Sequence, residues 1–396
     1  MNIFNKSLPN ITEDDIKFLK SQEVLENKTI EYKKELPGNT TSEKKEFLYD
    51  VTAFANSSGG IIFFGIEENE GKPISIDGVK IDDIDKVILR FENIIRSGVT
   101  PRISNISIMA IELSNSNHII LVQVPNSWSS PHMISYNHSG KFFARNSAGK
   151  YQMDAHEIKQ AFINSETIVE KIRSFREKRV NEILSGKTPI NLGNSAKTIL
   201  HTIPLEAFKT IEKVNIKWVA DNFLHLKPMG GRPVGTNFNL DGVYSYLNWE
   251  NTKQNAYAQI YRNGIIESAS NKLTKIMENG SRKIMGQYFE QEIIIGFGNY
   301  LQLYKNLGIE SPIFVFLSIL NVHDYTMGIN HTSRMLRDRF ETPIDRDNLL
   351  LPEFIFENLS TDNLPEKLKP IFDMVWNSSG WPHSMNYDEN GNWIDN

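Results

Sequence analysis

The stretch FLYDVTAFANSSGGIIFFGI, residues 47–66, predicts a helix that turns directly into a buried strand. Upstream, Thr40 and Glu43 form a capping-box pattern that marks the start of the helix. The SSGG sequence favours a sharp turn near Asn56. Residues 61–66 form an unbroken apolar run, which is typical of a strand covered on both faces. These apolar positions share one face of the predicted helix: Phe47, Leu48, Val51, Phe54 and Ala55.

The segment ENKTIEYKKE, residues 26–35, predicts a second strand with one charged face. With a period of two residues, Ile30 and Tyr32 point to one side while Glu31 and Lys33 point to the other. Solvation is the ordinary interpretation of such a face. The same residue types also suit phosphodiester chemistry, because a carboxylate can bind Mg²⁺ or Mn²⁺ while an ammonium stabilises phosphate charge.

Carboxylates also follow the apolar strand at residues 61–66. If the two strands pair in one sheet, Glu67 or Glu68 lies beside Glu31. Alternation does not choose between Glu67 and Glu68 once a turn begins, and Glu68 is the preferred candidate. Glu26 joins the same site if the chain bends near Asn27.

Length and composition set wider limits. The chain has 396 residues and 40% hydrophobic content, which predicts two or three globular domains. It has no cysteine, which excludes disulfides and thiolate metal sites. Neither a signal peptide nor a membrane span is predicted, so we expect a cytoplasmic protein without membrane contacts. The net charge of −5 argues against a surface that is basic throughout, but it leaves room for a local basic groove.

The predicted organisation is α+β in both halves. We expect a first domain at 1–165, a charged connector helix at 166–188 and a second α+β domain at 189–396. In the second domain, Asn263-Gly264 predicts a type I′ hairpin. Other predicted helices are 84–95 and 286–307, and other predicted strands are 103–113, 118–125, 198–203 and 312–320.

Basic and aromatic residues near predicted turns are candidates for nucleic-acid contacts. Trp128 and Tyr136 could stack on an unpaired base, although packing is the commoner role of such residues. The SGKT sequence at 185–188 is not a phosphate-binding loop, because Asn181 occupies the position of its first glycine. Candidate phosphate contacts are Lys34, Arg102, Lys141, Arg145 and Lys150.

Four motifs in this order resemble the AlbA-type domain of the Schlafen family, often described as a divergent AAA domain in bacterial proteins: ENKTIEYK, FLYDVTAFANSSGGIIFFGIEENEG, SSPHM and KFFARNSAGKYQMDAHEI. The resemblance covers residues 20–165. It implies a mixed sheet with flanking helices and nucleic-acid binding. Several members of the family cleave transfer RNA or ribosomal RNA with a three-carboxylate site for a divalent metal.

The resemblance also implies roles for individual residues. Glu26 and Glu31 match two of the three carboxylates, and Glu67 or Glu68 stands where the family usually has aspartate. Arg145 matches a position that tends to be arginine. The leading prediction is therefore a metal-dependent endoribonuclease that acts on structured RNA such as transfer RNA, with Mg²⁺ or Mn²⁺ and with Lys33 assisting.

By analogy, this activity suggests a role in stress response or phage defence, and a single such domain suggests a homodimer that encloses a duplex. The alternative prediction is a non-catalytic regulator that binds DNA or RNA. An ATP-dependent protein is a third possibility, which the missing glycine of the phosphate loop disfavours.

Overall fold

A computed structural model of the chain describes residues 10–127, 129–208, 214–247, 255–329 and 342–394. The chain divides into two compact units, Met1–Thr167 and Ile168–Asn396. Both units combine helices with sheets, which confirms the predicted α+β class. Trp128, a predicted stacking residue, lies outside the described residues.

The first unit contains the predicted helices and strands together with short elements that the sequence did not predict. The helices are α1 (Glu13–Ser21), α2 (Thr41–Ala55), α3 (Ile84–Gly98) and α4 (Ala155–Leu184). The strands are β1 (Ile30–Lys33), β2 (Gly60–Phe64), β3 (Ile66–Asn69), β4 (Lys72–Ile76), β5 (Val99–Thr100), β6 (Ser107–Glu112), β7 (His118–Val124), β8 (Met133–Ile134), β9 (Lys141–Asn146) and β10 (Gly149–Gln152).

The central sheet of this unit has the strand order β1-β2-β7-β6. Strands β1 and β2 are parallel, with Glu31 opposite Ile62, and the other pairs are antiparallel. A second sheet has the order β10-β9-β8-β5. The predicted pairing of the charged strand with the apolar strand is therefore present, in a mixed sheet.

Strand β2 is covered on both faces, as its composition predicts. Ile62 and Phe64 pack into a core with Phe54 and other apolar residues of α2. Ile61 and Phe63 pack on the opposite side of the sheet, in a second core that also contains apolar residues of α1 and β1. Alternation along one short strand thus joins the two cores of the unit.

Local sequence signals set the limits of α2. Thr40 accepts a hydrogen bond from the Glu43 N–H at 3.2 Å, which completes the predicted capping box. Asn56 caps the C-terminal end, as predicted. Gly59 then turns the chain with a φ of +69°, which favours glycine.

The expected strand at residues 61–66 is shorter than predicted. It ends at Phe64, because Gly65 adopts a φ of +99° and redirects the chain. A new strand, β3, begins at Ile66 and pairs with β4 in a hairpin. Glu67 and Glu68 consequently lie on that hairpin and not in a simple turn.

The predicted connector helix is not a separate element. Helix α4 begins at Ala155 and continues to Leu184, and the division between the two units falls inside it. The helix that we expected from residue 166 is therefore the later part of a longer one. None of the helices in the described ranges is long and apolar enough to cross a membrane.

The second unit is built on one large sheet. Its helices are α5 (Ile216–Asp221), α6 (Gly286–Leu307) and α7 (Leu364–Asn377). Its strands are β11 (Lys197–Pro204), β12 (Gly235–Phe238), β13 (Gly242–Leu247), β14 (Ala256–Tyr261), β15 (Ile266–Ser270), β16 (Thr274–Ile276), β17 (Arg282–Ile284), β18 (Ile313–Leu320), β19 (Tyr325–Met327), β20 (Asn348–Leu350) and β21 (Phe354–Phe356). The large sheet has the order β12-β13-β14-β15-β11-β18-β20, and β21 also pairs with β18.

The turn between β14 and β15 differs from the predicted type I′ hairpin. The Gly264 N–H donates to the Tyr261 carbonyl at 2.9 Å, so the four-residue turn begins at Tyr261. Gly264 has a φ of +88°, whereas Asn263 does not have a positive φ. A type I′ turn needs positive φ at both central residues, so this turn is of another type. Its last residue is Gly264, whose positive φ leads the chain into β15.

Substitution of Gly60 tests the close approach of α2, β1 and β2. A Cβ atom at this position would lie 2.6 Å from the Thr29 carbonyl oxygen and would also collide with the Phe54 ring. We expect Gly60→Ala to lower the free energy of unfolding of this unit by about 1–3 kcal/mol. Hydrogen exchange of β2 peptides measures the change, and exposed Ser107→Ala on β6 is the control. Equal exchange in Gly60→Ala and the control would contradict the prediction.

Candidate nucleic-acid site

Glu31 lies at the centre of an ion-paired cluster in the first unit. Its side chain is on β1, and the residue is 7% exposed. The Lys33 ammonium contacts one carboxylate oxygen at 2.5 Å, and the Arg145 guanidinium pairs with the other. Glu31 and Lys33 thus share one face of the strand, as the alternation predicts.

Arg145 of β9 has a buried side chain that joins three elements. Its guanidinium donates hydrogen bonds to the carbonyl oxygens of Asn27 at 3.1 Å and Ile30 at 3.3 Å. It also lies 4.5 Å from the centre of the Phe54 ring on α2. The side chain is only 2% exposed. This burial does not fit the direct phosphate contact that the sequence suggested, so here Arg145 positions Glu31.

Asp50 is a member of the cluster that the sequence analysis missed. Its side chain is 2% exposed, and its carboxylate lies 2.8 Å from the Lys150 ammonium and 3.7 Å from the Lys33 ammonium. Burial raises the pKa of Asp50, and this effect outweighs the opposite effect of Lys150 and Lys33. A signal was available, because Asp50 stands three residues after Phe47 and four before Phe54, on the apolar face of α2.

The carboxylates of this cluster have pKa values that shift in opposite directions. Burial raises the pKa of Glu31, but Lys33 and Arg145 outweigh it and hold this pKa below the ordinary value. Burial also raises the pKa of Glu26, and there the effect prevails. The negative charges of Glu31 and Glu68 raise the Glu26 pKa further. The chain does bring Glu26 into the field of Glu31, as predicted.

The hydrogen bonds of the other predicted carboxylates are mostly local. Glu26 accepts the Tyr32 N–H at 2.7 Å, which ties the chain before β1 to the strand. Glu68 accepts the Gly71 N–H at 2.7 Å, inside the β3–β4 turn.

Glu67 pairs with Lys34 at 2.9 Å on the surface. Each of the four predicted ligands, Glu26, Glu31, Glu67 and Glu68, therefore already has a protein partner.

The fit of these residues to Mg²⁺ or Mn²⁺ is poor in this arrangement. A hard cation needs several carboxylate or carbonyl oxygens that converge on one point. Both oxygens of Glu31 are instead in ion pairs with cations. In the part of the chain that the structure describes, no group of three His, Cys, Asp or Glu side chains is arranged to hold a metal ion.

The remaining predicted phosphate contacts fall into two groups. Lys34 and Lys150 are in ion pairs, the latter with Asp50 and Glu46. Arg102, after β5, and Lys141, at the start of β9, are exposed. Neither makes an ion pair with another described residue. Arg102 and Lys141 are therefore the predicted cations that remain available to an external phosphate.

A second buried carboxylate, which sequence reasoning missed, lies in the other unit. Glu267 is fully buried and accepts hydrogen bonds from Arg179 at 2.7 and 2.8 Å and from the Tyr257 hydroxyl at 2.7 Å. The His201 ring lies 2.9 Å away. Burial raises its pKa, but Arg179 and His201 lower it to about 2. The Glu267 carboxylate is fully enclosed by these partners, so it stabilises the large sheet and offers no surface to a ligand.

Removal of Arg145 tests whether the cluster holds the first unit together. We expect Arg145→Ala to lower the free energy of unfolding by about 3–5 kcal/mol, because it leaves the buried Glu31 with one counter-charge fewer. Since Arg145 lowers the Glu31 pKa, this carboxyl stabilises the wild type fully above its ordinary pKa of 4.5 and progressively less as the pH falls further.

The loss below pH 4.5 should be smaller in Arg145→Ala than in the wild type. Denaturant unfolding between pH 7 and pH 3 measures both effects, with Arg145→Lys as the variant that keeps the charge but loses the planar guanidinium. Identical stability and pH profiles in the wild type and Arg145→Ala would show that the cluster is not structural.

Comparison with known proteins agrees with the motifs. Residues 26–154 match the family model described as Schlafen, AlbA_2. No curated protein matches the chain. The crystal structure of the DIP2311 protein from Corynebacterium diphtheriae is similar over 37% of this chain, with 14% sequence identity and a TM-score of 0.27, and the match covers 27% of that protein. The predicted resemblance is confirmed: the chain carries a Schlafen AlbA_2-type domain at residues 26–154.

Proposed function

We propose that the AlbA_2-type domain binds structured RNA, such as transfer RNA, as a non-catalytic module. The match at residues 26–154 carries this proposal, because it links the domain to a nucleic-acid-related family. Arg102 and Lys141 supply the phosphate contacts, since they are exposed and without ion pairs among the described residues. Phosphate contacts of this kind give affinity without reading the sequence.

The ion pairs favour binding over cleavage. Metal-dependent cleavage, the activity that the resemblance implies, requires carboxylate oxygens that are free to coordinate a cation. Glu31 would have to exchange Lys33 and Arg145 for the metal, and Arg145 would then lose a partner inside the domain. An unpaired buried charge costs several kcal/mol.

An endoribonuclease that uses Mg²⁺ or Mn²⁺ is the second candidate function. One observation favours it: Glu26, Glu31 and Asp50 have shifted pKa values and lie in the field of Lys33. Clusters of perturbed titratable groups are common at catalytic sites, although structural ion pairs also produce them. Such an activity would suit a role in stress response or phage defence, by analogy alone.

A homodimer would place two AlbA_2-type domains on one duplex. Cyclic dimers are the commonest protein assemblies, and two domains would double the available phosphate contacts. Light scattering of the purified protein at increasing concentration measures this state, and we expect twice the mass of the chain.

Titration of transfer RNA against salt tests the binding proposal. We expect binding that weakens with salt, because phosphate contacts release counterions. Arg102→Ala combined with Lys141→Ala should reduce the slope of log affinity against log salt by about 2, one unit for each lost contact. Lys275→Ala, an exposed substitution on β16, is the matched control and should leave the slope unchanged.

Incubation of the same RNA with Mn²⁺, Mg²⁺ or EDTA separates the two candidate functions. The binding proposal expects intact RNA under all conditions and intact affinity in Glu68→Gln, a predicted ligand that is exposed and whose amide oxygen can still accept the Gly71 N–H. Metal-dependent cleavage that disappears in Glu68→Gln would establish the nuclease instead. A wild-type protein that binds neither transfer RNA nor single-stranded DNA would contradict both.

A further inference from the structure

A groove of about 400 Å³ lies on the first unit, apart from the cluster around Glu31. Its lining comes from α2, α3 and the short segment Tyr136–His138. Volumes of 300–1,000 Å³ are typical of sites for small ligands. The groove is therefore large enough for one nucleotide.

The charged residues that line the groove are all basic. Lys44 comes from α2, and Lys86 and Arg90 come from α3. The polar bonds of two of these cations are weak: Lys86 pairs with Asp83 at the surface, and Arg90 lies 3.4 Å from the Asn39 side chain. The Arg90 guanidinium also lies 5.5 Å from the centre of the Phe91 ring, a contact that leaves its N–H groups able to bind a phosphate. Exposed pairs of this kind contribute at most about 1 kcal/mol, so a phosphate group can replace them at little cost.

An aromatic ring and an exposed apolar side chain complete the lining. Tyr136 is half-buried at one side of the groove, and Leu89 is 57% exposed. The two residues after Tyr136 have an unusual backbone, because Asn137 and His138 have φ values of +46° and +53°. These φ values lie in the left-handed region, which costs free energy for a residue other than glycine. Such strain is often retained where it positions a functional side chain.

We propose that this groove binds an unpaired nucleotide of RNA, with the base on the Tyr136 ring and the flanking phosphates on Lys44 and Arg90. Single-stranded RNA is commonly held in this way, because every base has a face that stacks on an aromatic ring while basic side chains follow the backbone. A base-paired nucleotide does not fit, since its faces are already stacked within the helix. The inference rests on the proposed RNA binding and specifies the part of the RNA that the groove takes.

Two RNA probes and two Tyr136 variants test the groove. The probes are an octamer of uridylate and a blunt-ended RNA duplex, with binding measured by fluorescence anisotropy. We expect Tyr136→Ala to weaken octamer binding about tenfold and to leave duplex binding unchanged. Tyr136→Phe keeps the ring and should retain wild-type affinity for the octamer, which separates stacking from a loss of folding.

The cationic side of the groove has its own variant. Arg90→Ala should reduce the salt slope of octamer binding by about 0.7, the value for one phosphate contact on a single strand. The matched control is Lys72→Ala, an exposed lysine on β4 that does not line the groove.

The outcomes distinguish the groove from the broader proposal. Equal octamer binding by the wild type, Tyr136→Ala and Arg90→Ala would overturn the proposal that the groove binds a nucleotide, but it would leave the proposed RNA binding intact. Binding of the duplex but not the octamer by the wild type would overturn it as well. A wild type that binds neither probe nor transfer RNA would overturn both proposals together.

Discussion

The buried guanidinium of Arg145 is the constraint on which the first unit depends. Burial of a cation is unfavourable unless its N–H groups find acceptors and its charge finds a counter-charge. The acceptors of Nε and Nη2 are the carbonyls of Asn27 and Ile30 and the carboxylate of Glu31, which is also the nearest counter-charge. Nη1 lies 3.9 Å from the Asp50 carboxylate. Phe54 covers the face of the guanidinium from α2. A single side chain of β9 thus fixes the relative positions of a strand and a helix.

This constraint explains the charge on β1. Glu31 forms an ion pair with the Arg145 guanidinium, so the negative charge of Glu31 stabilises the fold. Lys33 then bridges Glu31 and Asp50, which would otherwise repel each other inside the protein. Together with Arg145 and Lys150, Lys33 therefore occupies the oxygens of both buried carboxylates. A divalent cation would have to displace one of these protein cations, which is the reason that the described residues do not fit a metal.

The parts of the fold that the sequence predicts are those that local signals specify. The capping box at Thr40 and the apolar face of α2 are local, and so is the alternation that places Glu31 beside Lys33. Gly65 lies inside an apolar run, and its positive φ ends the strand there. The composition of the run does not reveal this break, because a strand that continued to residue 66 would have the same residues. This early break explains why Glu67 and Glu68 lie on the β3–β4 hairpin and not in the simple turn expected after the strand.

The site was harder to predict because its decisive contacts are distant in sequence. Arg145 and Asn27 are separated by 118 positions. The residues next to Arg145 in the sequence do not show whether its guanidinium is buried or exposed for binding to a phosphate. Asp50 carried a local signal, a carboxylate on an apolar helical face, but its partner Lys150 is 100 positions away. Spacing therefore finds the candidate residues, and only the tertiary structure shows which charges are already neutralised.

Helix α2 connects the two charged regions of the domain. Asp50 is directed into the buried cluster, whereas Lys44, six positions earlier, lines the groove. The ion pairs of Asp50 and the packing of Phe54 against Arg145 hold α2 in place, and thereby hold one wall of the groove. A wall that is fixed before the ligand arrives lowers the entropic cost of binding. For the proposed RNA binding, the buried charges would act indirectly: they lie inside the domain, but they keep in position the helix that carries Lys44.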